Sequence, residues 1–118
     1  MTVRKIGFVG FRTGMFAELR AIFEHGLGLR ATDASPQQGG YDLAAATRLE
    51  AYDPSEPFHA FMTTGPVIGF EVDDFDEPRR RLAALGIVFL TGIQHAGGKQ
   101  WVHFRLPDGT VAEIIGPR

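Results

Sequence analysis

The chain has 118 residues, 44% of them apolar and 22% charged, with no cysteine and a formal net charge of -2. That length supports one hydrophobic core and is too short for two independent domains. The lack of cysteine excludes a disulfide framework, a thiolate metal site and a cysteine nucleophile. The twelve Lys and Arg residues are scattered apart from Arg79-Arg80-Arg81, which lies in a helical pattern and reads as its solvated face, so nucleic acid is not an expected partner. No apolar run reaches the roughly eighteen residues of a membrane span, and the N-terminus leads straight into a β-rich stretch. Neither a membrane segment nor a signal peptide is expected, and the cytoplasm is the expected compartment.

Lys5 to Thr13 alternates apolar and polar residues and predicts a strand. Phe16 to His25, apolar at 16, 19, 22 and 23, predicts a helix ended by Gly26-Leu27-Gly28. A glycine there supplies the left-handed residue that closes a last helical turn, so this Gly-x-Gly reads as a cap and not as a phosphate cradle. Arg30 to Ala34, Tyr41 to Ala46 and Arg48 to Asp53 are the next expected strands. Asp53-Pro54-Ser55-Glu56-Pro57 and Thr63-Thr64-Gly65-Pro66 punctuate a connection. Beyond it, Val67 to Val72 predicts a strand, and Asp76 to Leu85 a helix with Pro78 in its first turn, Leu82 and Leu85 on its apolar side and Gly86 at its end. Val88 to Ile93, Gln100 to Leu106 and Thr110 to Ile115 complete the set, the last two joined by the turn residues Pro107-Asp108-Gly109.

The order repeats because the sequence does. Val9-Gly10-Phe11 matches Ile68-Gly69-Phe70 at a spacing of 59, continued by Phe16 with Phe75, Glu18 with Glu77 and Arg20 with Arg79. Two similar units usually pair to bury a face that neither buries alone. The expected class is α+β: two tandem strand-helix-three-strand modules, the first over about residues 1–53 and the second over about 66–118, joined by a connection over about 54–65 in a single domain.

Strand parity splits the sheet into two faces. Val9, Phe11, Ile68, Phe70, Val72, Val102, Phe104, Ala112 and Ile114 fall on the side that helices cover. The opposite parity gathers Phe8, Gly10, Arg12, Val67, Gly69, Glu71, Trp101, His103, Arg105 and Glu113, with Glu50 and Tyr52 by analogy. A plain wet face accounts for its charges, with Arg105 and Glu113 as a cross-strand ion pair. The Trp among them favours a concave small-molecule site, because a large aromatic wants cover. His25 and His95 read as surface residues, at a helix end and in a loop.

The doubled module, with Gly69-Phe70-Glu71-Val72-Asp73-Asp74 opening the second copy and Trp101 to Glu113 closing it, resembles the vicinal oxygen chelate superfamily of glyoxalases, bleomycin-resistance proteins and ring-cleaving dioxygenases. The resemblance implies an open, incomplete barrel with a cup, and often a homodimer. It also implies metal ligands on the first and last strand of each module. The last-strand positions are Glu50 and Glu113, which suit a divalent ion. The first-strand positions fall at or beside Phe8 and Val67, which donate no electron pair. The expectation is a protein without a metal cofactor, binding an organic small molecule to sequester it or for an unassigned reaction. Phe8, Tyr52 and Trp101 would stack on the ligand, Arg12 and Arg105 meet its negative groups, and Glu50 and Glu113 accept its donors or carry chemistry, with Glu71 and His103 completing the lining. The alternative is a divalent-metal glyoxalase or dioxygenase, the ion held by Glu50 and Glu113 with His103 or His59, one carboxylate acting as base. A third reading, an interaction module, rests on Phe58, Phe61 and Met62 forming an exposed apolar patch.

Overall fold

A computed structural model describes residues 2–118; Met1, the first residue of the expected first module, lies outside them. Eight strands form one curled sheet. Each module contributes four: β1 (Val3–Arg12), β2 (Ala31–Ser35), β3 (Gln38–Asp42) and β4 (Arg48–Tyr52), then β5 (Val67–Val72), β6 (Gln94–Ala96), β7 (Lys99–Arg105) and β8 (Val111–Pro117). The spatial order β2-β3-β4-β1-β5-β8-β7-β6 is a palindrome of the repeat. β1 and β5 pair antiparallel at the centre, and each pairs parallel with the last strand of its own module, β1 with β4 and β5 with β8. The two modules therefore meet within one chain.

One helix covers each half of the convex face. α1 (Phe16–Ala21) continues as a wider π-helical turn over Ile22–Gly26, and α2 spans Asp76–Ala84. The widening buries Phe23 and turns Ile22 outward, so Ile22 is exposed where the period-3.6 pattern put it on the apolar side. Leu85 is likewise exposed, because α2 has already ended at Ala84. Gly28 and Gly86 adopt φ of 71° and 85°, the left-handed geometry expected of the caps. Phe16, Phe23, Tyr41, Leu49 and Ala51 pack under α1, and Phe75, Val102, Phe104, Ala112 and Ile114 under α2. A third cluster, Phe8, Tyr52, Met62, Val67, Val111 and Ile115, sits on the concave side.

Two strands depart from the sequence expectation. β3 runs over Gln38–Asp42 and not over Tyr41 to Ala46, where Ala44–Ala46 forms a short turn with Ala45 and Ala46 at φ of 63° and 58°. Gly39 and Gly40 lie in the strand because the Tyr41 hydroxyl and the Arg48 guanidinium occupy the space their side chains would need. β6 lies at Gln94–Ala96 and not at Val88 to Ile93, of which Phe89 alone makes an isolated bridge, to Phe104. Gly97 and Gly98, at φ of 56° and 79°, close the two-residue turn between Ala96 and Lys99. A hairpin of that type needs positive φ at both central residues.

Candidate functional site

The concave face holds a cavity of about 700 Å³. Its floor comes from β1 and β5, its flanks from β4 on one side and β8 with β7 on the other. Gly10 faces Glu50 across the β1–β4 pair, and Gly69 faces Glu113 across the β5–β8 pair, so the repeat places the two carboxylates in equivalent registers. Neither glycine position has room for more. A Cβ on Gly69 would lie 2.6 Å from Glu113 Oε1 and 2.9 Å from Phe8 Cβ, and one on Gly10 would lie 2.7 Å from Phe8 Cζ. The Phe8 ring thus crosses the floor from the Gly69 side to the Gly10 side, between the strands that carry Glu50 and Glu113.

Both carboxylates have protein partners. Arg48 Nε donates to Glu50 Oε2 at 2.7 Å, and the Tyr52 hydroxyl donates to Glu50 Oε1. Burial first, and the Glu50 charge second, push the Tyr52 phenol upward, so it stays a donor. His103 Nε2 lies 2.7 Å from Glu113 Oε2, with both residues almost wholly buried at 2% and 4% exposure. Burial raises the Glu113 carboxyl above its ordinary value, the His103 hydrogen bond opposes this, and the Glu50 charge adds to it. His103 Nδ1 is buried with no hydrogen-bond partner. The pair can hold and pass a proton inside the cup.

Of the residues expected in the site, Phe8, Glu50, Tyr52, Glu71, Trp101, His103 and Glu113 line the cavity together. Arg12 and Arg105 do not. Arg12 donates to the Pro54 carbonyl, and Arg105 to Thr63 Oγ1 and the Gly109 carbonyl, because the connection between modules folds across that end of the sheet. Nor do Arg105 and Glu113 pair: Arg105 lies opposite Val111, and the partner of Glu113 is His103. The connection also revises the interaction-patch reading. Met62 is buried and Phe61 packs on the concave cluster and on the His103 ring, centroids 4.6 Å apart, leaving Phe58 as the exposed member. His59 joins the cavity wall, stacked on Tyr52 at 3.7 Å and held by Glu56 at 2.5 Å. Burial keeps its imidazole below the usual value. His25 and His95 are exposed. Arg48, Lys99 and Ile115 also line the cup, and each lies two residues from an expected member on the same strand.

A glyoxalase, bleomycin resistance protein and dioxygenase superfamily profile matches residues 5–114. The chain belongs to that superfamily. None of the curated proteins matches the chain. Among solved structures it is similar to the Mn(II)-bound glyoxalase from Novosphingobium aromaticivorans, at 18% identity and a TM-score of 0.77 over 97% of this chain and 39% of that one. It is also similar to methylmalonyl-CoA epimerase from Mycobacterium tuberculosis, at 16% identity and a TM-score of 0.70 over 98% of this chain and 89% of that one. A superfamily member from Vibrio splendidus 12B01 aligns at 14% identity and a TM-score of 0.68, over 92% of this chain and 96% of that one. At these identities the likeness speaks for the fold alone.

The residues do not fit a resident divalent ion. Of the four positions that the superfamily resemblance assigns to ligands, Phe8 and Val67 present only carbon, and Glu50 and Glu113 are already engaged by Arg48, Tyr52 and His103. Among the described residues no three His, Cys, Asp or Glu side chains gather as a metal requires. Among the described residues, no helix is long and apolar enough to cross a membrane.

Proposed function

We propose that the cup binds an organic small molecule directly, without a resident metal ion, and holds it between aromatic walls in the sequestering manner of a bleomycin resistance protein. The observation that carries this reading is the floor, where the Phe8 ring stands between two carboxylates that already have protein partners while about 700 Å³ stays open above them. That volume falls within the roughly 300–1,000 Å³ of small-molecule sites. Trp101 supplies a ring face for stacking, and Glu50 and Glu113 accept donors from the ligand. We place this role in a cytoplasmic homodimer, on the resemblance and on the cysteine-free composition.

Thermal denaturation with a panel of antibiotics and aromatic metabolites, in buffer containing a chelator, tests the proposal. The expected result is a rise in melting temperature with a subset of the panel. Silence across the panel, together with stoichiometric nickel, zinc, iron or manganese in protein purified without chelator, would overturn it.

A further inference from the structure

We infer that the floor of the cup takes the positively charged end of an organic amine, with the Phe8 ring beneath it and the Glu50 and Glu113 carboxylates on either side. This rests on the cup being the ligand site and adds the ligand's charge.

The first support is the balance of charge around the cavity. Asp42, Glu50, Glu71 and Glu113 line it against only Arg48 and Lys99. Neither cation is free. Arg48 is shared among Asp33, Asp42 and Glu50, and Lys99 lies 3.4 Å from Glu71. Arg12 and Arg105, which would have welcomed an anion, are tied to the connection and to the Gly109 carbonyl. A carboxylate or phosphate entering the cup would have to break an existing ion pair and then sit beside two acids. An ammonium group would meet the excess negative charge directly.

The aromatic floor is the second support. A cation is attracted to the face of an aromatic ring within about 6 Å, and more strongly where water is excluded. Phe8 is nearly buried on the floor, and Tyr52 and Trp101 stand in the walls. Carboxylates flanking a ring therefore favour the same class of ligand by two independent physical effects.

The test uses three probes of one shape and three charges: phenylpropylamine, phenylpropanol and hydrocinnamate. Trp101, the only Trp in the chain, lines the cup, so its fluorescence reports occupancy, and calorimetry gives the affinities. The amine should bind about tenfold more tightly than the alcohol, and hydrocinnamate should bind most weakly. Added salt should weaken the amine and leave the alcohol unchanged, a readout that needs no variant. Glu113→Gln and Glu50→Gln should each lower the ratio of amine to alcohol affinity severalfold. Equal binding of amine and alcohol would overturn the charge inference and leave the cup as a ligand site. Tightest binding of hydrocinnamate would do the same, and silence from all three would overturn the charge inference, leaving the cup to the broader panel.

Discussion

Gly69 and Glu113 sit opposite each other on neighbouring parallel strands, and a Cβ on Gly69 would lie 2.6 Å from Glu113 Oε1 and 2.7 Å from its Cγ. The carboxylate has its seat because that side chain is missing. Gly69→Ala should therefore cost about 1–3 kcal/mol, the usual penalty for adding a methyl to a filled space. In a Glu113→Ala background the same change should cost less, though Phe8 Cβ at 2.9 Å keeps some of the penalty. Denaturant unfolding of the four proteins in this cycle reads the coupling, and strict additivity would contradict the contact.

The His103–Glu113 pair predicts a second asymmetry. Removing one partner of a buried pair leaves the other unsatisfied, so His103→Leu should destabilise the protein by about 3 kcal/mol. Replacing both, as His103→Leu with Glu113→Leu, should recover most of that loss, since a buried pair exchanged for packed apolar groups is often close to neutral. Urea unfolding of single and double variants decides the matter, and a double variant less stable than either single one would contradict it.

Glu113 also gives stability a direction with pH. Its folded carboxyl lies above the ordinary value of 4.5, so the folded chain keeps this proton over a range where the unfolded chain has released it. The folded state then binds more protons, and this group's contribution falls as pH rises upward from about 4.5. Glu113→Gln removes the titrating group. The variant should gain stability relative to the parent as pH is raised from 5 to 8, measured by chemical denaturation at each pH. A gap that moves the opposite way would show that Glu113 is not penalised by burial.

Much of this arrangement was legible in the residues. The 59-residue spacing that aligns Gly10 with Gly69 pointed to the doubled module, parity collected Phe8, Trp101, His103 and Glu113 on one face, and analogy between the modules added Glu50 and Tyr52. Parity assigns a face but not a height along the strand. Arg12 and Arg105 have the right parity and the wrong height, and the connection carrying Pro54 and Thr63 covers their end of the sheet. β3 and β6 were displaced for a related reason. Gly39-Gly40 looks like a turn but is a pair of strand residues under large neighbours, whereas Gly97-Gly98 is a turn whose positive φ values no periodicity reveals. Arg48, Lys99 and Ile115 were within reach of the same parity rule, extended by one step along each strand. His59 was not, because it reaches the wall from an irregular connection, where no period applies.

The missing half of the ligand set makes a further prediction. Phe8→His with Val67→His supplies two imidazoles at the positions that the resemblance assigns to metal, beside Glu50 and Glu113. The double variant should gain micromolar or tighter binding of nickel by calorimetry, with the parent silent under the same conditions. Tight binding by the parent would contradict the conclusion that its donor set does not suit an ion.

We propose that the cup receives its ligand without an ion. Titrating Trp101 fluorescence with a compound that stabilises the protein, once in chelator and once with excess manganese, tests this most directly. The two dissociation constants should agree within about twofold, a difference of less than 0.5 kcal/mol. Binding that appears only with manganese, or tightens by tenfold or more, would contradict the claim and return Glu50 and Glu113 to service as metal ligands.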